Sequence, residues 1–149
     1  MLFLGLRRSD VMRVGMQHIK DDVMSIQTQK TRVQVHIPIA PALLKECMDA
    51  IPYSGEVFLP SARGKIFANP VAFGDSFKGQ CKKAGLPSNC GCHGLRKAGA
   101  TILANAGASS YELMAMYGWS KSNMAEAYTK DADRKKLAYY TTNLLAKNI

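Results

Sequence analysis

The sequence predicts an α+β domain, mainly α, with a small antiparallel β-sheet. Three observations lead there. Two short runs, Val23-Met24-Ser25-Ile26-Gln27-Thr28 and Val33-Gln34-Val35-His36-Ile37, alternate in character and are rich in β-branched residues, the pattern of paired strands. From about position 70 the apolar residues recur at helical spacing instead, punctuated by glycines and by the capping box Ser109-Ser110-Tyr111-Glu112. The length of 149 residues fits one domain, and a chain of that size buries roughly 68–70% of its unfolded surface. With 47% apolar side chains it is no candidate for disorder.

The elements follow in order. The apolar Met1-Leu2-Phe3-Leu4 reads as the end of a helix. Ser9 or Asp10 is placed to cap a short helix over Val11 to Met16. The two alternating runs form a hairpin whose turn is Gln29 to Arg32, with Lys30 exposed at or near its tip. Pro38 and Pro41 end the hairpin, and Pro41 suits the first turn of a helix through about Ala50. Pro52, Gly55, Pro60 and Gly64 mark a loop region, in which Val57-Phe58-Leu59 is a candidate third strand. A helix from about Pro70 to Ala84 stops at Gly85 and Pro87. The next starts near His93, with Leu95, Ala98, Ile102 and Leu103 as its apolar stripe and Gly107 as its stop. The capping box opens a helix that Gly118 ends. Two more run from about Lys121 to Tyr128 and from about Asp131 to Ala146, with Asp131 and Asp133 at the positive end of the last.

Charge points to a partner. The net charge is +9, but residues 1–60 carry 7 basic and 6 acidic side chains while residues 61–149 carry 13 and 5. A localised positive field concentrates polyanions, which puts nucleic acid first and an anionic membrane surface second, with plain solubility as the ordinary reading. The longest apolar run, Ile37 to Leu44, is broken by two prolines and falls far short of the ~18 residues of a membrane span. Four cysteines, at 47, 81, 90 and 92, form no paired framework, and no secretory signal precedes them, so the expectation is a cytosolic chain with reduced thiols. Cys90-Gly91-Cys92-His93 lacks a second ligand pair at zinc spacing and reads as buried or incidental thiols.

One constellation carries chemistry. His93-Gly94-Leu95-Arg96 puts an imidazole and a guanidinium three residues apart on one helix face, and Gly118-Trp119 is followed nine residues later by Tyr128. Each has an ordinary reading: Tyr128 lies among Met124, Ala125 and Ala127 as a core residue would, Trp119 suits a helix junction, and Lys30 and Arg7 suit solvated loops.

Taken as an ordered set, these residues resemble the catalytic domain of the tyrosine recombinases, the phage integrase family. The family signature is an Arg in a Gly-Leu-Arg-x-Ser-Glu-like turn, a Lys on a β-hairpin, His-x-Leu-Arg, a His or Trp after Gly, and a nucleophilic Tyr nine residues on. Here Gly5-Leu6-Arg7-Arg8-Ser9-Asp10 matches the first element with Asp10 in place of Glu, and Lys30, His93, Arg96, Trp119 and Tyr128 match the rest in order. The resemblance implies DNA strand cleavage and rejoining through a 3′-phosphotyrosyl intermediate, with double-stranded DNA as the partner and no metal, ATP, membrane or small-molecule substrate. Arg7 and Arg96 would hold the nonbridging oxygens, His93 would take the proton of Tyr128, Lys30 would protonate the leaving 5′-oxygen and Trp119 would position the phosphate. Such chemistry is plausible for these side chains: guanidinium forks are permanently charged donors, and a free tyrosine, with a pKa of about 10, needs help to become a nucleophile.

The resemblance also implies a cytoplasmic, bacterial or phage-derived, nucleoid-associated protein that works as a homo-tetramer on DNA, with Asn143 to Ile149 as a segment to donate and a monomer expected in its absence. Family members carry a DNA-clamping domain before the first Arg, whereas Met1 here lies six positions before Arg7, so residues 1–149 read as one catalytic domain truncated at its N-terminal side. Two other readings stay open: a non-catalytic DNA-binding remnant of an integrase, and an ordinary helical DNA-binding regulator.

Overall fold

The hairpin forms where the alternation places it. In the computed structural model, which describes residues 1–39, 42–49, 56–130, 132 and 134–148 (the side chains of 43, 47, 135 and 136 excepted), strands β2 (Val23–Gln27) and β3 (Gln34–Pro38) pair antiparallel from Val23↔Pro38 to Gln27↔Gln34. Met24 and Ile26 on one strand and Val35 and Ile37 on the other are buried, while their neighbours Gln27, Gln34 and His36 face outward. One apolar face is therefore available to the core.

The third strand is not Val57-Phe58-Leu59, as the sequence suggests, but β1 (Ile19–Lys20), which pairs with β2 to give the order β1-β2-β3. Asp21 and Asp22, both at positive φ (51° and 58°), make the connecting turn; a two-residue turn of this hand ordinarily signals itself with Gly or Asn, and neither is present. Val57 and Phe58 are buried instead, Phe58 in the sheet-side core, and the Phe58 N–H donates to the Val14 carbonyl at 2.9 Å.

Among the described residues there are seven α-helices. Short α1 (Arg8–Val11) starts earlier than expected: Arg7 is its N-cap, so Ser9 and Asp10 lie inside it rather than capping it. Residues 2–4 form a turn, not a helix end. Helix α2 (Ala42–Asp49) falls where Pro38 and Pro41 predict it; Pro41 and Ala50 themselves lie outside the described residues, as do Asp131 and Asp133. Asn69 caps α3 (Pro70–Lys83), its side-chain oxygen accepting from the N–H groups of Val71 and Ala72, and Pro70 occupies the first turn. Then come α4 (Cys92–Ala106), α5 (Ser110–Tyr117), α6 (Asn123–Thr129) and α7 (Arg134–Lys147).

The buried face of α4 differs from the apolar stripe expected for it. Ile102 is 59% exposed and Leu95 36%, whereas Cys92, Arg96, Gly99, Ala100 and Ala104 are buried. Small side chains on the inward face let the bulky Tyr117 and Trp119 approach the helix, and with Leu113, Ala125 and Ala132 they form a second core beside the sheet-side core of Leu6, Val11, Val14, Met24, Ile26, Val35, Ile37, Phe58 and Phe73. Packing volume, not side-chain hydropathy, decides which face turns in.

The capping box of α5 is present as the sequence predicts: the Glu112 N–H donates to Ser109 Oγ at 3.2 Å, and the Ser109 N–H to Glu112 Oε2 at 2.7 Å. Those Ser109 bonds hold the Glu112 carboxyl below its ordinary value. The cap's contribution is therefore present at neutral pH and lost as the pH falls through the acid range. Glu112→Gln should flatten that limb of the stability profile, read as urea midpoints over a pH series, and an unchanged limb would contradict the assignment.

Candidate active site

The site is built from buried backbone outward. Arg96 lies one turn into α4 and is only 5% exposed. Its Nη2 donates to the Tyr117 carbonyl at 2.7 Å and its Nη1 to the Gly5 carbonyl, so one side chain ties α4 to the end of α5 and to the segment before α1. These bonds use two of the five N–H donors a guanidinium carries. The guanidinium carbon lies 4.9 Å from the Tyr117 ring centre and 5.5 Å from that of Trp119, within cation–π range. Burial, and then the charge of Arg7, pulls Arg96 down to about 10, which still leaves it cationic at neutral pH.

Three aromatic rings stack across the second core. Trp119, 5% exposed, lies 4.9 Å from Tyr117 at 27° and 5.5 Å from Tyr128 at 9°. The half-buried Tyr128 is thereby held by its ring face, on α6. Tyr117 is a different kind of tyrosine. It is 1% exposed, its hydroxyl has no hydrogen-bond partner, and burial pushes it up to about 12. Buried in this way, it is not among the residues that line the cleft.

Arg7, at the N-cap of α1, has its Nη1 buried without a hydrogen-bond partner. A buried, unpaired cationic donor costs about 1–3 kcal/mol or more and is well suited to an anionic oxygen. Lys30 projects from the β2–β3 loop, exposed, and that loop is anchored on both sides. The Gln29 N–H donates to Asp10 Oδ1 at 2.8 Å, and Asp10, fully buried, also accepts from Arg13 Nη2 at 3.2 Å. On the other side, the Thr31 hydroxyl donates to the Gly118 carbonyl at 2.7 Å. His93, exposed, occupies the first turn of α4, whose N-cap Gly91 supplies no side-chain bond.

Arg7, Lys30, His93, Arg96, Trp119 and Tyr128 all line one cleft of about 530 Å³. Among the described residues the ion pair is Asp10–Arg13, so the cationic groups of the cleft have no carboxylate within 4 Å. Nor do those residues include a group of three or more His, Cys, Asp or Glu arranged to hold a metal ion, and none of their helices is long and apolar enough to cross a membrane. Cys81 and Cys92 are buried thiols and Cys90 is half-buried, all three free.

Several contacts at and around the cleft escape the sequence reading, which names Asp10 and Gly118 without their bonds to the Lys30 loop. Asp10, Thr31 and Gly118 hold the Lys30 loop through bonds to distant backbone, and Arg8, Lys78 and Met124 line the cleft without any spacing that marks them. Gly118 has a left-handed backbone (φ 59°), and a Cβ there would meet Thr28 Cγ2 at 2.8 Å and Val35 Cγ1 at 3.0 Å. Gly118→Ala combines backbone strain with overpacking. It should cost about 2–3 kcal/mol, seen as a lower urea midpoint at unchanged slope; a loss under about 0.5 kcal/mol would mean the hairpin does not press on this residue.

A mainly helical domain with a three-stranded sheet has counterparts among solved structures. The fold superposes on that of a Tn1549 transposon integrase in complex with transposon right end DNA (TM-score 0.75, 19% identity, 97% of this chain and 56% of that one). It superposes as well on a lambda integrase dimer bound to a COC′ core site (TM-score 0.72, 23% identity, 89% and 50%). The phage integrase family model matches residues 1–135, and the chain belongs to that family. Tyrosine recombinase XerC of Rickettsia rickettsii (strain Sheila Smith) is 27% identical over 144 residues, 93% of this chain and 47% of that protein. The chain thus spans about half the length of the curated relatives it matches.

Proposed function

We propose that this chain carries the strand-cleaving and strand-joining chemistry of site-specific DNA recombination. The observation that supports it most is the convergence, in one cleft without an acidic ion-pair partner among the described residues, of six side chains drawn from positions 7 to 128. In this reading the Tyr128 oxygen attacks the scissile phosphorus, a 3′-phosphotyrosyl bond forms and the bond to the 5′-oxygen breaks. His93 receives the tyrosine proton, and Lys30 delivers one to the departing 5′-oxygen. Arg7 and Arg96 stabilise the charge that builds on the nonbridging oxygens, a role that fixed, desolvated donors fill well. Trp119 sets the plane of the Tyr128 ring by stacking and so orients the nucleophile. Because the new bond conserves the energy of the old one, a DNA 5′-hydroxyl reverses the step without ATP.

Duplex DNA is then the partner, and assembly into a tetramer on DNA from a monomer off it belongs to the same reading. A pool of suicide duplexes with randomised cores tests it: a protein–DNA adduct that survives denaturant is the expected product. Duplex binding with no adduct would replace this reading by that of a non-catalytic DNA-binding remnant.

A further inference from the structure

The cleft, of about 530 Å³, has more lining than the six residues already described. Beyond them its lining includes residues of α1 and α3. Arg8 lies there, exposed, with its guanidinium over Gly74, where an added Cβ would meet Nη1 at 3.0 Å. Lys78, one turn further along α3 and also exposed, lines the same cleft. Asp75 is the carboxylate in the α3 part of the lining, and among the described residues it is not within ion-pair distance of either cation. Arg8 and Lys78 against Asp75 leave the lining from α1 and α3 net positive.

Resting on the DNA-cleaving reading, we propose that Arg8 and Lys78 grip the backbone phosphate that neighbours the scissile one. Phosphates along one strand follow each other every ~3.4 Å of helix axis, so a strand threaded past Arg7 and Arg96 brings the next phosphate within the same cleft. Arg7 and Arg8 are adjacent in sequence, yet Arg7 has a buried Nη1 while Arg8 lies exposed over α3. Each arginine thus has its own phosphate. The motif that singles out Arg7 leaves the following position variable, so the second contact is a property of this chain and not of the motif.

The test is the salt dependence of binding to a fluorescein-labelled random-sequence duplex, compared between wild type, Arg8→Gln/Lys78→Gln and the charge-matched control Arg63→Gln/Lys65→Gln, whose exposed side chains lie outside the cleft. Two lost phosphate contacts should make the slope of log K against log salt shallower by about 1.8, which reduces the loss of affinity between about 50 and 200 mM salt by about 12-fold. The control should change it by less than half as much. An unchanged slope in the double variant, or an equal change in the control, would overturn the phosphate grip while leaving the cleavage reading standing. A wild-type chain with no salt-dependent duplex binding would overturn both.

Discussion

Arg96→Lys should lower the rate of covalent adduct formation by about 10²–10³-fold, the usual cost of removing one preorganised oxyanion donor, and should also destabilise the fold. The charge survives this substitution, but the fork does not. An ammonium on a flexible stem cannot serve the Gly5 and Tyr117 carbonyls together and still present donors to a phosphate, whereas a guanidinium that makes both bonds has three N–H donors to spare. Losing one charge-assisted bond to a buried carbonyl costs about 2 kcal/mol, or about 4–8 °C in Tm for a chain of this size. The two effects separate by measurement: thermal melting reports the structural part, and single-turnover adduct formation below the melting range reports the chemical part. Loss of stability with an unchanged rate would make Arg96 a strut and not a catalytic group.

Tyr128→Phe has the opposite profile. Phenylalanine keeps the ring that stacks on Trp119 at 5.5 Å, and the side chain is only half-buried, so melting should shift by no more than the ~0.5 kcal/mol typical of a mild surface change. The adduct should vanish altogether, because no other oxygen is held at that place. Tyr117, the nearest competitor in the stack, keeps its proton up to about 12 and lies 1% exposed. Adduct formation that persists in Tyr128→Phe would move the nucleophile elsewhere.

The parts of this molecule that were legible in its sequence are those governed by local rules. Alternation marks β2 and β3 and therefore the loop that carries Lys30; Ser109 and Glu112 mark the start of α5; Gly107 and Gly118, both left-handed, mark the ends of α4 and α5. What was not legible depends on partners far along the chain. The burial of Arg96 is set by the Gly5 carbonyl, 91 residues away, and by the aromatic stack after α5. The inward face of α4 follows from the same stack, since Tyr117 and Trp119 need Gly99, Ala100 and Ala104 beneath them rather than Leu95 and Ile102. The position of the Lys30 loop rests on Thr31 reaching Gly118 across 87 residues and on Asp10, which a propensity argument assigns to a cap and the fold uses as a buried bracket. As for the cleft, the order and spacing of its six residues can be read in one dimension, while the stacking of Trp119 on Tyr128 and the presence of Arg8 and Lys78 in the same lining exist only in three.

In the cleavage reading a strand of DNA becomes joined to one particular oxygen, that of Tyr128. Adducts trapped on suicide duplexes can be digested with nuclease and trypsin and the modified peptide sequenced by mass spectrometry. The expected result is a nucleotide on the peptide Ser122–Lys130, attached at Tyr128, the one tyrosine in that peptide. A nucleotide on Tyr111, Tyr139 or Tyr140, or no modified peptide from a preparation that binds the duplex, would contradict it.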